Sequence, residues 1–160
     1  MSPARNGPVT MFKKILVPLD GSKTAEGALP YALDLAQRGG GHLMLARVCS
    51  ATLSGGSMAG YPVPGTALET ELVLAQQHVE EYLRALRFQV EGVQVSTHAP
   101  QGTAVAALVA LIEEQQVSLI VMTSHGRSGL TRFVLGSVAE KLMRLAPCPV
   151  FIVGRDDVQK

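Results

Sequence analysis

Hydrophobic and polar positions change period several times along the chain, and each change marks an element. Ile15 to Leu19 is a short apolar run that ends at the turn signal Asp20-Gly21-Ser22. Ala25, Ala28, Leu29, Ala32 and Ala36 then return at helical spacing. This predicts a strand followed by a helix. Pro30 lies inside the helical pattern, where its ring and missing N–H predict either a kink or a first turn that starts later. Gly39-Gly40-Gly41 stops the helix. Leu43 to Val48 reads as a second strand. Ser50 to Gly65 is rich in Gly, Ser and Pro without any period, a loop long enough to be either a functional cover or disordered. Thr66 and Glu69 stand at capping-box spacing before a helix that places Leu68, Leu72, Ala75, Val79, Leu83 and Leu86 on one face.

Val93, Val95 and Thr97 alternate with Gln94, Ser96 and His98, which predicts a third strand with a wetter face or an edge position. Val105, Leu108, Val109 and Ile112 form the stripe of a third amphipathic helix, and Val117 to Met122 is apolar enough for a central parallel strand. Ser137 to Arg144 reads as a short helix with Val138, Leu142 and Leu145 inward, and Val150 to Val153 as a fifth strand. Alternation of this kind implies an α/β fold, a doubly wound five-stranded parallel sheet with right-handed crossovers and helices on both faces; the expected order is the Rossmann-like 3-2-1-4-5. The domain is expected over residues 12–154, with 1–11 as a disordered leader and 155–160 as a tail. In such sheets ligands sit beyond the carboxyl ends of the strands, where the winding reverses.

Composition narrows the function classes. A chain of 160 residues with 47% apolar and only 4% aromatic residues fits one domain with an aliphatic core, as parallel strands require. The formal net charge of +1 supplies no general attraction to nucleic acid or to an anionic membrane, so a small ligand is the better expectation. No segment approaches the roughly 18 to 20 continuous apolar residues that cross a bilayer. Cys49 and Cys148 are far apart, and no apolar stretch follows a basic region at the N-terminus, so reduced thiols and a cytoplasmic location are expected.

The stretch richest in candidate chemistry is Met122-Thr123-Ser124-His125-Gly126-Arg127-Ser128-Gly129, followed by Gly136-Ser137 at a helix start. A loop between a buried strand and a helix can present backbone N–H groups, the Ser137 hydroxyl and the positive helix end to an anion, and phosphate is the natural ligand. Spacing alone supports equally a simpler reading, in which Gly126 and Gly129 provide turns and Ser137 with Glu140 forms a capping box. Neither the Walker pattern nor the dinucleotide fingerprint is present.

The segment resembles the signature of the universal stress protein family, Gly-x2-Gly-x9-Gly-Ser/Thr, realised here as Thr123-x2-Gly126-x9-Gly136-Ser137 with three of four fixed positions matching. The similarity extends through Val138-Ala139-Glu140 to Pro147-Cys148-Pro149-Val150, and at the other end through Lys14-Ile15-Leu16-Val17-Pro18-Leu19-Asp20-Gly21-Ser22. What the resemblance implies is ATP, with Mg²⁺, held by the signature loop. Gly126, Gly136 and Ser137 match phosphate-binding positions, and Pro18, Leu19 and Asp20 match the segment beside the nucleoside. Val48 matches the backbone position that meets adenine, while Met122 and Val138 line the same place by adjacency. Thr123 replaces the first signature glycine, where its Cβ would crowd the ligand or its hydroxyl would donate to a phosphate oxygen.

Asp20 reads either as a partner for ribose hydroxyls or a cation, or as a turn and helix cap. Arg127 and Arg132 read as solvated, His125 is the one histidine in the candidate loop, and Arg47 is an odd charge that either snorkels from its strand or faces the pocket. Cys49 and Cys148 read as packing residues at strand ends. No base or carboxylate pair suited to rapid turnover is evident. The expected function is therefore a nucleotide-binding regulatory protein acting through its bound state, with slow ATP hydrolysis or a ligand-free structural dimer as the alternatives. Val150, Phe151, Ile152 and Val153 are apolar on both faces of a strand that should lie at the sheet edge, which predicts a homodimer through that strand, as the family resemblance also implies.

Overall fold

A computed structural model describes residues 11–50, 65–124 and 135–154, with only the backbone of 65–68. The expected leader except Met11, the 155–160 tail, the Ser50–Gly65 loop beyond its ends, and His125, Gly126, Arg127, Ser128, Gly129 and Arg132 of the signature loop lie outside the described residues.

Five parallel strands, β1 (Lys14–Leu19), β2 (His42–Arg47), β3 (Gln94–His98), β4 (Leu119–Thr123) and β5 (Val150–Val153), form one sheet in the order β3-β2-β1-β4-β5. They alternate with helices α1 (Lys23–Glu26), α2 (Leu29–Gly39), α3 (Gly65–Phe88), α4 (Ala104–Gln115) and α5 (Ser137–Leu145). The predicted class and strand order are those observed.

Side-chain alternation divides the core into two layers. Ile15, Val17, Leu19, Leu43, Leu45 and Val121 face α1, α2 and α3, packing on Ala28, Ala32, Ala36, Val79 and Leu83. Leu16, Met44, Ile120 and Met122 face the other way, onto Leu108, Ile112, Ala139 and Leu142 of α4 and α5. Strands buried on both faces read as unbroken apolar runs, which is why β1, β2 and β4 were legible. The alternating β3 is the sheet edge beyond β2, with Gln94 and Thr97 exposed.

Local chemistry corrects several expectations. The single helix predicted after β1 is two: α1 ends at Gly27, and Pro30 occupies the first turn of α2, where its missing N–H breaks no helical bond. Thr66 lies inside the first turn of α3 and not at its cap, because the helix begins at Gly65. In α5, Leu145 is exposed and Ala139 takes the inward position beside Leu142, with Val138 half-buried. Cys49 is buried as expected, whereas Cys148 is only half-buried, enough for burial to raise its thiol pKa.

Candidate functional site

β1 and β2 stay in register over six residues, but β1 and β4 pair only at Ile15–Leu119 and Leu16–Ile120. Pro18 follows, and without an N–H it has no donor with which to continue a ladder. The strands on either side of the winding reversal thus part toward their carboxyl ends, and a cavity of about 570 Å³ opens there. Its size falls within the roughly 300–1,000 Å³ of small-molecule sites.

Nine of the sequence-predicted residues line this one cavity: Pro18, Leu19, Asp20, Val48, Met122, Thr123, Gly136, Ser137 and Val138. Gly126 is the tenth and lies outside the described residues. The wall also includes residues that sequence reasoning did not assign to a site: Ala75, His78 and Val79 of α3, Ala104 and Leu108 of α4, and Arg47, Cys49, Ser50 and Ser124. The α3 and α4 residues carried no signal of their own, because their place depends on how the helices cross the sheet end. Arg47 did carry one, as a charge ending an apolar strand; it lies on the cavity wall.

Among the described residues, the amino end of α5 brings backbone donors to the cavity wall. Gly136 is the N-cap; its N–H donates to the Ser124 carbonyl (2.8 Å), and its carbonyl accepts from the Glu140 N–H (2.9 Å). The capping box of Ser137 with Glu140 is not formed: Ser137 is the first helical residue, and the Glu140 carboxylate pairs with Arg144 (2.8 Å). The N–H groups of Ser137, Val138 and Ala139 belong to the first turn, where a helix supplies no acceptors, and all three residues line the cavity. That turn carries the positive end of the helix dipole.

Asp20 performs the turn role that sequence allowed. One of its oxygens, Oδ1, accepts from the Ser22 N–H (2.9 Å) and hydroxyl (2.6 Å), and the Ser22 oxygen in turn accepts from the Ala25 N–H (3.1 Å) to cap α1. Gly21 has φ +86, a conformation that favours glycine. Asp20 is also part of the cavity wall, so the turn that fixes it presents it to a ligand. Thr123 is buried at the end of β4.

On the α3 side, Arg47 stacks on Tyr82, with its Cζ 4.9 Å from the ring centroid. Tyr82 donates to Glu26 Oε1 (3.2 Å); burial first, and then the Glu26 charge, push its phenol far above the usual range, so it stays neutral. Among the described residues, no three His, Cys, Asp or Glu side chains converge as a metal site, and no helix is long and apolar enough to cross a membrane.

Residues 11–154 match the universal stress protein family. The chain belongs to that family. Universal stress protein MJ0531 of Methanocaldococcus jannaschii is 32% identical to it over 93% of this chain and 85% of its own length. Protein MJ0577 of the same organism, whose structure is known, superposes with a TM-score of 0.73 at 28% identity, over 91% of this chain and 97% of its own. A universal stress protein crystallised in complex with cAMP shares the fold at 21% identity and a TM-score of 0.56, over 89% of this chain and 97% of its own.

Proposed function

We propose that the cavity binds an adenine nucleotide, ATP with its Mg²⁺, and that this universal stress protein acts as a regulator through its bound state. The observation that carries the reading is the convergence, at the winding reversal, of the α5 first turn with the Pro18–Asp20 segment and Val48 around one cavity of nucleotide size. The residues fit the group: the N–H donors of α5 and the Ser137 hydroxyl suit phosphate oxygens, and Asp20 suits ribose hydroxyls. The backbone at Val48 meets an edge of the base, and Met122 and Val138 supply apolar contact. The phosphates bring the Mg²⁺, since the described residues offer no cluster for it. The cAMP complex of a fold relative shows that protein holding an adenine nucleotide; for this chain the support is its own cavity. Titration calorimetry with MgATP, together with extraction of purified protein, is the test. Folded protein that shows no binding at millimolar nucleotide would sink the proposal and leave the ligand-free dimer.

Hydrolysis is slow in this reading. The bound nucleotide acquires charge neutralisation from a helix end, but the wall has a single carboxylate among the described residues, Asp20, whose Oδ1 is engaged by Ser22. Phosphoryl transfer also needs an oriented nucleophile and stabilisation of developing charge. Phosphate release under saturating MgATP is expected far below the ~1 s⁻¹ low end of typical enzymes. A rate near that value that disappears in Gly136→Glu would instead make the protein an ATPase.

The same reading includes a homodimer through β5. Phe151 is 44% exposed, although its ring meets Tyr31 (centroids 6.4 Å apart), and Val150 and Ile152 are half-buried on the unpaired edge. An apolar edge of this kind invites pairing with a second copy. Sedimentation at tens of micromolar is expected to give a dimer, and Phe151→Asp a monomer; a monomeric parent would refute it.

A further inference from the structure

Arg47 ends a strand whose preceding residues, Leu43 to Ala46, are fully buried, and it is itself half-buried. Removing part of a guanidinium from water without a carboxylate is unfavourable, so its position calls for a partner. Among the described residues the ion pairs are Lys23–Glu26, Arg38–Asp34 and Arg144–Glu140, and none involves Arg47. The side chain is nevertheless held in place. Tyr82 lies 4.9 Å from its Cζ on one side. On another lies Gly21, so close that a Cβ there would stand 2.7 Å from Nη1 and 2.8 Å from Cζ. Tyr82 is in turn anchored on Glu26, whose other oxygen takes Lys23 at 2.7 Å. The guanidinium is thus held between Tyr82 and Gly21, and Arg47 lines the cavity.

Its placement relative to α5 gives that charge a use. Arg47 sits opposite Leu19 at the end of β2, and β2 and β4 flank β1. Two strand spacings separate β2 from β4, roughly 10 Å. The cavity therefore has two positive flanks, the first turn of α5 beyond β4 and Arg47 beyond β2, with Asp20 at the end of β1 between them. A neutral nucleoside could engage Asp20 and the apolar wall but brings no anion of its own to Arg47.

We infer that Arg47 contacts a phosphate group of the bound nucleotide and is a specificity-determining residue that separates phosphorylated ligands from the bare nucleoside. The inference rests on the nucleotide reading above. A planar guanidinium with several donors suits a phosphate better than a single hydroxyl. In ATP and AMP that phosphate belongs to the 5′ chain; in 3′,5′-cyclic AMP it is the single group that bridges the 3′ and 5′ oxygens.

The experiment is calorimetry of the parent, Arg47→Met and Arg47→Lys with ATP, AMP, 3′,5′-cyclic AMP and adenosine, with thermal melting to verify the fold of each variant. Methionine keeps an unbranched apolar stem over Tyr82 while removing the charge. Arg47→Met is expected to weaken phosphorylated ligands about tenfold or more, as loss of a charged hydrogen bond does, and to leave adenosine unchanged. Arg47→Lys recovers part of the loss. Losses for ATP and AMP at least as large as that for cyclic AMP assign the contact to the 5′ chain, and a loss confined to cyclic AMP overturns it for ATP. Loss of the charge also flattens the salt dependence of ATP binding, which a packing role would leave unchanged. Equal losses for adenosine and the nucleotides, or no loss at all, overturn the inference while leaving nucleotide binding intact. A folded parent that binds none of the four ligands overturns both.

Discussion

The two ends of the sheet are built from the same strands and finished in opposite ways. At the amino end, backbone and side chains use up one another's hydrogen bonds. The Lys14 N–H donates to Ser118 Oγ (3.0 Å), and that hydroxyl donates back to the Lys14 carbonyl (2.9 Å). Lys14 Nζ caps the Gln115 carbonyl at the end of α4 (2.7 Å), and the His42 N–H donates to the Lys13 carbonyl (2.9 Å). Gly41 is buried so tightly that a Cβ there would lie 2.6 Å from the Phe12 carbonyl oxygen. At the carboxyl end, the pairing of β1 with β4 stops before Pro18, the first turn of α5 faces the cavity, and its N–H groups have no acceptor within the helix. One end is sealed and the other holds the proposed ligand cavity. Stability and binding should therefore respond to different substitutions.

The largest effect is expected at the closed end. Gly41→Val sets a branched side chain against a backbone carbonyl that cannot swing away, and should lower unfolding free energy by about 3 kcal/mol in chemical denaturation. Nucleotide affinity of the molecules that remain folded should not change. A loss below about 1 kcal/mol would show that the amino end yields more than its packing suggests.

Next comes the open end, with the opposite signature. Gly136 has φ −60 and ψ 147, a conformation open to any residue, so Gly136→Glu does not strain the backbone. It places a carboxylate at the amino end of α5 where phosphate would sit. ATP affinity should fall about 100-fold, equivalent to about 2.7 kcal/mol, with the denaturation midpoint nearly that of the parent. Undiminished binding would remove the phosphates from this helix end.

A smaller, pH-dependent effect belongs to the polar edge. His42 at the start of β2, Ser96 and His98 form a chain of hydrogen bonds (2.8 and 3.0 Å). Burial and then the Lys14 charge lower the His42 pKa; burial and then the His42 charge lower that of His98, with Lys14 adding to this and Glu114 opposing it. Both folded values lie below the unperturbed 6.5, so the folded state binds these protons less readily than the unfolded one. The stability they contribute is complete above about pH 6.5 and falls as pH drops through the depressed folded values. The melting temperature should decline between pH 7 and pH 5, and the His42→Gln/His98→Gln double variant should flatten that decline. An equal slope in the two proteins would discount the cluster.

The smallest effect is a control that touches neither end. Arg38 and Asp34 form an exposed i,i+4 pair on α2 (2.8 Å). Arg38→Ala should cost less than about 0.5 kcal/mol and leave binding unchanged. A larger loss would mean that stability is not concentrated where the backbone is sealed.

Much of this organisation was legible before the fold was known, for a physical reason. A parallel strand buried on both faces must be apolar throughout, and its helical crossovers must be amphipathic, so Ile15–Leu19 and Val117–Met122 announced themselves. Pro30 was ambiguous because proline is compatible with both a kink and a first turn. Tertiary packing resolved it by setting Ala28 at the junction between two helices. Leu145 was misplaced because helical periodicity at a helix end does not say where the neighbouring packing stops, and Leu142 is the last buried residue of α5.

The sequence by itself determined the alternation of strands and helices, and with it a doubly wound parallel sheet, while the resemblance of its signature segments picked out Asp20, Val48, Met122, Gly136 and Ser137. These are properties of short stretches, written in period and turn chemistry. Only the tertiary structure decided that these segments share one cavity with Arg47, Ala75, His78, Ala104 and Leu108. It also decided that Arg47 rests between Tyr82, thirty-five residues further along the chain, and Gly21. The reason is that a crevice forms where β1 and β4 diverge and helices from both faces overhang it. That depends on how whole elements cross one another, a relation between distant residues that no local pattern encodes.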